Sequence, residues 1–205
     1  MAEVKKRGGS SGTKPSADRN LCRNRRNILT RKKMLACGHP SRNAVLPSSS
    51  PIKVILDTNV CLDLFVFHDQ RWEKITKALA SGEIIALTRK DCREEWLAVL
   101  HYPHLPVNEG NRAQIERDFD HHIQCLTLAS TGMKLPLCSD KDDQKFLEIA
   151  RDSNAHFLIT KDKALLKLRK KIKRLNLFLI ETPESFVANL VANPHLEEIK
   201  TPNSH

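Results

Sequence analysis

Residues 51–193 predict an α/β fold: a parallel sheet with helices on both faces. Two observations carry that expectation. Short apolar, β-branched runs alternate along this region with stretches of helical periodicity, an order that lays successive strands side by side in parallel. A chain of 205 residues, 40% of them hydrophobic, also has material for one good core rather than two full domains. No internal repeat is visible.

The elements follow in order. Ile52 to Leu56 is an apolar run and the first strand. From Asp57 to His68, apolar residues recur at Val60, Leu64 and Phe67, and Arg71 to Ala80 adds Trp72, Ile75 and Leu79 at helical spacing. Ile84 to Leu87 is a second strand, and Asp91 to His101 a helix with Trp96, Val99 and Leu100 inward. Arg112 to Leu128 carries Ile115, Phe119, Ile123 and Leu126 on one stripe, which predicts a single longer helix. Ser139 is the expected N-cap of a helix through Asp152, with Phe146, Leu147 and Ala150 buried. His156 to Thr160 and Leu177 to Ile180 are the third and fourth strands. Pro183 suits the first turn of a closing helix that carries Phe186, Leu190 and Val191. Residues 194–205 read as a flexible end.

The first fifty residues are different in kind. Twelve Lys/Arg against Glu3 and Asp18 place the whole net charge of +10 there, leaving 22 basic and 22 acidic residues in the remainder. Gly8-Gly9-Ser10-Ser11-Gly12, Pro15, Pro40, Pro47 and Ser48-Ser49-Ser50 read as a disordered basic tail. Its Arg-rich, acid-poor composition also fits a transit peptide, and Met34 offers a later start. It has no apolar h-region, and no apolar run of the chain approaches the roughly 20 residues of a membrane span. No membrane partner is therefore expected. Six cysteines show no CxxC pair and no zinc-like spacing. Cys61, Cys92 and Cys125 fall in apolar or helical stretches, so buried free thiols and a reducing, cytoplasmic compartment are expected.

Four acidic positions carry the chemistry: Asp57, Glu95, Asp143 and Asp162. Asp57 follows Val54-Ile55-Leu56 directly and Asp162 follows Leu158-Ile159-Thr160-Lys161, so both stand where a strand ends. Ligands bind at that carboxyl edge in open α/β sheets. Carboxylates gathered there repel one another, and a divalent cation is the natural counter-charge, as in a metal-dependent phosphodiesterase. A structural explanation competes. Asp140, Asp142 and Asp143 can be ordinary first-turn acids, and Asp162 a helix cap. Asp57 is harder to explain that way, because a partly desolvated charge without a partner is costly. Asn59 can fix its loop by hydrogen bonding.

Four motifs together resemble the PIN-domain family, of the subgroup regarded as toxin components of bacterial toxin–antitoxin systems. They are Val54-Ile55-Leu56-Asp57-Thr58-Asn59-Val60, Glu95-Trp96-Leu97-Ala98-Val99-Leu100-His101-Tyr102-Pro103, Cys138-Ser139-Asp140-Lys141-Asp142-Asp143, and Phe157-Leu158-Ile159-Thr160-Lys161-Asp162-Lys163-Ala164-Leu165-Leu166. The pattern departs at Trp96 and Lys161, where Leu and Gly are expected. The resemblance implies a three-layer α/β/α sandwich with a mostly parallel sheet of four to five strands. It also implies a metal-dependent ribonuclease: Asp57, Glu95, Asp143 and Asp162 binding Mg²⁺ or Mn²⁺, with Asn59, Thr160 and Asp140 in support. Glu94 competes with Glu95, and Asp140 with Asp143, for the ligand role. An RNA substrate, a cognate antitoxin and a homodimer are the implied partners.

Lys161 to Arg174 contains eight Lys/Arg, among them Lys161, Lys163 and Lys167. They form either a solvated helix face or a patch that draws RNA phosphates past the acids. His101, His104, His121 and His122 match no metal motif, and Trp72 and Trp96 read as core. Two other functions compete. One is an RNA-binding module of the same fold without independent nuclease activity. The other is a phosphoaspartyl phosphatase of the haloacid-dehalogenase type, which wants an Asp where this chain has Asn59.

Overall fold

The computed structural model describes residues 50–192. Apart from Ser50, the expected basic tail lies outside them, as does the flexible end from residue 194. Five strands form one all-parallel sheet: β1 (Ile52–Leu56), β2 (Ile84–Arg89), β3 (Ile123–Leu126), β4 (Phe157–Ile159) and β5 (Leu179–Glu181), in the order β3-β2-β1-β4-β5. The connecting helices are α1 (Thr58–Phe65), α2 (Glu73–Ser81), α3 (Lys90–Val99), α4 (Glu109–His122), α5 (Gln144–Asp152), α6 (Lys163–Leu166), α7 (Arg169–Arg174) and α8 (Pro183–Ala192). The expected α/β/α sandwich is what the chain forms.

Alternation along the strands builds the two faces. Val54 and Leu56 of β1, with Phe157 and Ile159 of β4, look into one core with Val60, Trp96, Leu100, Phe119 and Phe186. Ile55 and Leu158 look the other way, onto Phe146, Leu147, Ile149 and Ala150 of α5 and Leu165 and Ile172 beyond it. Both tryptophans are core, Trp96 stacked on Phe119 with ring centroids 4.9 Å apart. Truncating such a fully buried side chain to alanine costs about 3–5 kcal/mol.

Three expectations need correction. The long helix expected over Arg112 to Leu128 stops at His122, and Ile123–Leu126 is the edge strand β3, paired with Ala86–Arg89 of β2. The apolar stripe runs unbroken into the strand, so helical periodicity cannot mark the break, and pairing with β2 decides it. The helix also starts earlier, at Glu109, where Asn108 and Asn111 form a reciprocal capping box. Second, Ser139 does not cap α5, which begins at Gln144 after a turn in which Asp140 Oδ1 accepts the Asp142 N–H at 3.0 Å. The expected burial of Cys125 is also wrong. It is exposed on β3, whereas Cys61, Cys92 and Cys138 are buried free thiols.

One feature of the topology positions the site. Chain connections run outward from β1 through β2 to β3, then cross back to β4 and β5 on the other side. The crevice between the carboxyl ends of β1 and β4 is therefore the topological switch point, where open α/β sheets bind ligands.

Candidate active site

Leu56 and Ile159 are in register at the ends of β1 and β4, so the residues that follow them, Asp57 and Thr160, emerge side by side. The Asp57 N–H extends the ladder to the Ile159 carbonyl at 3.0 Å. Asp57 is 4% exposed and stands at the N-cap of α1, yet its side chain makes no capping bond. Its Oδ2 accepts instead from the Thr160 hydroxyl at 2.5 Å and from Asn59 Nδ2 at 2.6 Å. Burial pushes the carboxyl up from its ordinary range, and these bonds partly offset the push.

Thr160, fully buried, also joins Asp57 to Asp162, since its hydroxyl accepts the Asp162 N–H at 2.9 Å. Asp162 does cap a helix: its Oδ1 accepts from the N–H groups of Ala164 at 2.6 Å and Leu165 at 3.1 Å. The cap fixes the orientation of this carboxylate.

Glu95 approaches from α3. Its Oε1 accepts from the Thr58 hydroxyl at 2.6 Å, and its Oε2 is paired with the ammonium of Lys145. Glu94 faces outward and lies 3.6 Å from exposed Lys90, so of the two glutamates it is Glu95 that meets the other acids. Burial works against the charge on Lys145, but the bond to Glu95 and its negative charge more than offset that, raising the pKa of the ammonium.

Asp143 closes the group. It is the residue before α5 and, like Asp57, makes no capping bond. Its carboxyl is pushed up to about 6, first by burial and then by the charges of Asp57, Asp162, Asp140 and Glu95. Asp143 thus feels the charge of four other acids, of which Asp140 is exposed.

The basic run divides. Lys163 and Lys167 are exposed beside Asp162. Lys161 gives its ammonium to Asp63 Oδ2 at 2.6 Å, an oxygen that also accepts from Trp72 Nε1 at 3.1 Å. Its backbone N–H reaches Asn59 Oδ1 at 3.4 Å, which ties the loop after β4 to α1. Burial pushes the Cys92 thiol nearby up to about 12, away from the thiolate form.

Sequence reasoning missed Thr58, Asp63 and above all Lys145. Lys145 did leave a signal. It is the second residue of α5, where a cation opposes the helix dipole, and such local violations concentrate at functional sites.

The donors are hard carboxylate oxygens, the set that suits Mg²⁺ or Mn²⁺. The burial of Asp143 and Asp57, and at Asp143 the charges of the other acids, make a counter-cation favourable there. As placed, no three His, Cys, Asp or Glu side chains among the described residues stand close enough to hold one ion. The chemistry of the acids fits a divalent cation, and their spacing requires them to draw together around it. Among the described residues, no helix is long and apolar enough to cross a membrane.

Comparison with known proteins agrees with this fold. A family model described as PIN domain matches residues 53–164, from β1 into the start of α6, and so takes in every acid described above. The uncharacterized protein MJ1680 of Methanocaldococcus jannaschii is 29% identical over 140 residues, covering 66% of this chain and 90% of that protein.

Proposed function

Since this chain belongs to the PIN-domain family by a match over more than half its length, we propose that it is a metal-dependent endoribonuclease. PIN domains are generally nucleases, bind nucleic acid and use divalent metal ions. The observation that carries the reading for this chain is that Asp57 and Asp143 both precede helices and cap neither. Their carboxylates are kept for something else.

Asp57, Glu95, Asp143 and Asp162 would hold Mg²⁺ or Mn²⁺, with Asp140 at the rim. Bound there, the cation supplies an activated water and neutralises charge that develops on the phosphate. Thr160 and Asn59 aim the Asp57 carboxylate and favour its ionised form by donating to it, against the push of burial. The helix cap aims the Asp162 carboxylate. Lys163 and Lys167 offer exposed charge for the RNA backbone approaching an otherwise anionic mouth.

The test is cleavage of RNA by the purified chain with Mn²⁺, with and without chelator. We expect Asp57→Asn and Asp162→Asn to abolish cleavage while leaving the unfolding midpoint within a few degrees. Undiminished cleavage by both variants would sink the proposal. The pairing of Glu95 with Lys145 favours one other reading, an RNA-binding module that works without metal. Calorimetry separates the two: such a module takes up RNA but no Mn²⁺. The finer role, a toxin held in check by a cognate antitoxin, predicts growth arrest on expression that Asp57→Asn relieves.

A further inference from the structure

We propose that Lys145 is a built-in rival of the metal: it pairs with Glu95 in the metal-free protein, and the cation's arrival releases it to bind the scissile phosphate. The proposal rests on the ribonuclease reading and adds to it the residue that contacts the reacting group.

Three observations carry it. The Lys145 ammonium sits on Glu95 Oε2, while Oε1 of the same carboxylate is taken by Thr58. Glu95 therefore has no oxygen left without a partner, and a metal can use it only by sharing or displacing one of them. Thr58 is on α1, next to Asp57, and its bond costs no charge when a cation binds. Lys145 is itself a cation, so it is the partner that electrostatics expels. Second, the lysine is placed for transfer. Its side chain is 19% exposed, lies over the Phe146 ring at 5.7 Å, and starts two residues from Asp143, which feels the charge of Glu95, the acid that Lys145 holds. Third, α5 gains nothing from a cation at its second position, where the dipole disfavours it. Once released, the ammonium stands among carboxylates that a divalent ion has largely neutralised. An anionic phosphate oxygen is then its best remaining partner.

The proposal makes two effects of one substitution run in opposite directions. Lys145→Met should tighten Mn²⁺ binding about tenfold by calorimetry and slow RNA cleavage at saturating Mn²⁺ at least tenfold. Lys145→Arg keeps the charge and should keep both values within about threefold of the parent. Lys163→Met, next to Asp162 but outside any ion pair among the described residues, sets the through-space baseline and should tighten Mn²⁺ less than threefold. Weaker or unchanged Mn²⁺ binding by Lys145→Met, or cleavage at the parental rate, overturns the proposal. A fall in both with a lowered unfolding midpoint overturns it too, as a purely structural role, unless Lys145→Gln, tested alongside, folds and shows the opposed effects. If the parent binds Mn²⁺ and cleaves RNA while these variants fail, only the role of Lys145 is lost. A parent that does neither removes the ribonuclease reading and this proposal with it.

Discussion

Asp57 and Asp143 occupy the same kind of position, each the last residue before a helix it does not cap, but they are held in opposite ways. Asp57 leaves the end of a central strand, is 4% exposed, and receives two side-chain donors within 2.6 Å. Asp143 ends a loop from Thr127 that contains neither helix nor strand. That loop is pinned at its ends, by Cys138 N–H to Gln144 Oε1 at 2.8 Å and by Thr131 to Asp152 at 3.0 Å. Nothing among the described hydrogen bonds steadies the Asp143 carboxylate itself, and burial, then the charges of its neighbours, push its pKa up. The strand half of the site is preorganised by the core. The loop half stores repulsion that only a counter-charge relieves.

Breaking the preorganised half should have the largest effect. Thr160→Val keeps the shape but removes the donor to Asp57 and the acceptor for the Asp162 N–H. We expect Mn²⁺ affinity to fall about 10- to 100-fold, as for lost outer-shell partners of metal ligands. Denaturant unfolding should register a loss of about 1–3 kcal/mol for the buried groups left unpaired.

The loop half should answer with the opposite sign. In metal-free protein, Asp143→Asn removes a charge that burial and its neighbours disfavour. Because the folded carboxyl titrates near 6 and an unfolded one near 4, the parent loses stability as pH rises through that window, and the variant does not. Discounted for solvent screening, the gain above pH 6 should be about 1 kcal/mol, read from unfolding at pH 4.5 and 7. A loss at pH 7 would mean that Asp143 is as well supported as Asp57.

The smallest effect lies at the other edge of the sheet. His156, just before β4, accepts the Lys53 N–H on Nδ1 at 2.9 Å, and burial holds its pKa below the ordinary value. Its contribution is complete above about pH 6.5 and fades as pH falls below that. His156→Asn should flatten this limb by a few tenths of a kcal/mol, roughly the scale of screened charges, and leave Mn²⁺ affinity at pH 7.5 unchanged.

The strand half was also the legible half. Val54-Ile55-Leu56 ending in an acid identifies a strand, its direction and a charge at its end, and Leu158-Ile159-Thr160 does so again. The structure places both in register. What escaped reading depends on partners far along the chain. Ile123 continues the stripe of Ile115 and Phe119, so only β2 can tell that it belongs to a strand. Asp140, Asp142 and Asp143 look alike in sequence, and their turn separates them. Lys145 looks like any helix-surface lysine until Glu95, fifty residues earlier, is seen beside it. Lys161 heads a basic run, but Asp63 has already claimed its charge.

The bond from Thr160 to Asp57 spans 103 residues and carries a consequence for how the protein is made. Domains emerge from synthesis with the N-terminal part first, and long-range strand pairs form only when both partners are present. While the segment carrying β4, Thr160 and Asp162 is still untranslated, Asp57 has neither its donor nor its fellow acid. Until that segment has been made, a nascent chain of this protein therefore cannot assemble the site.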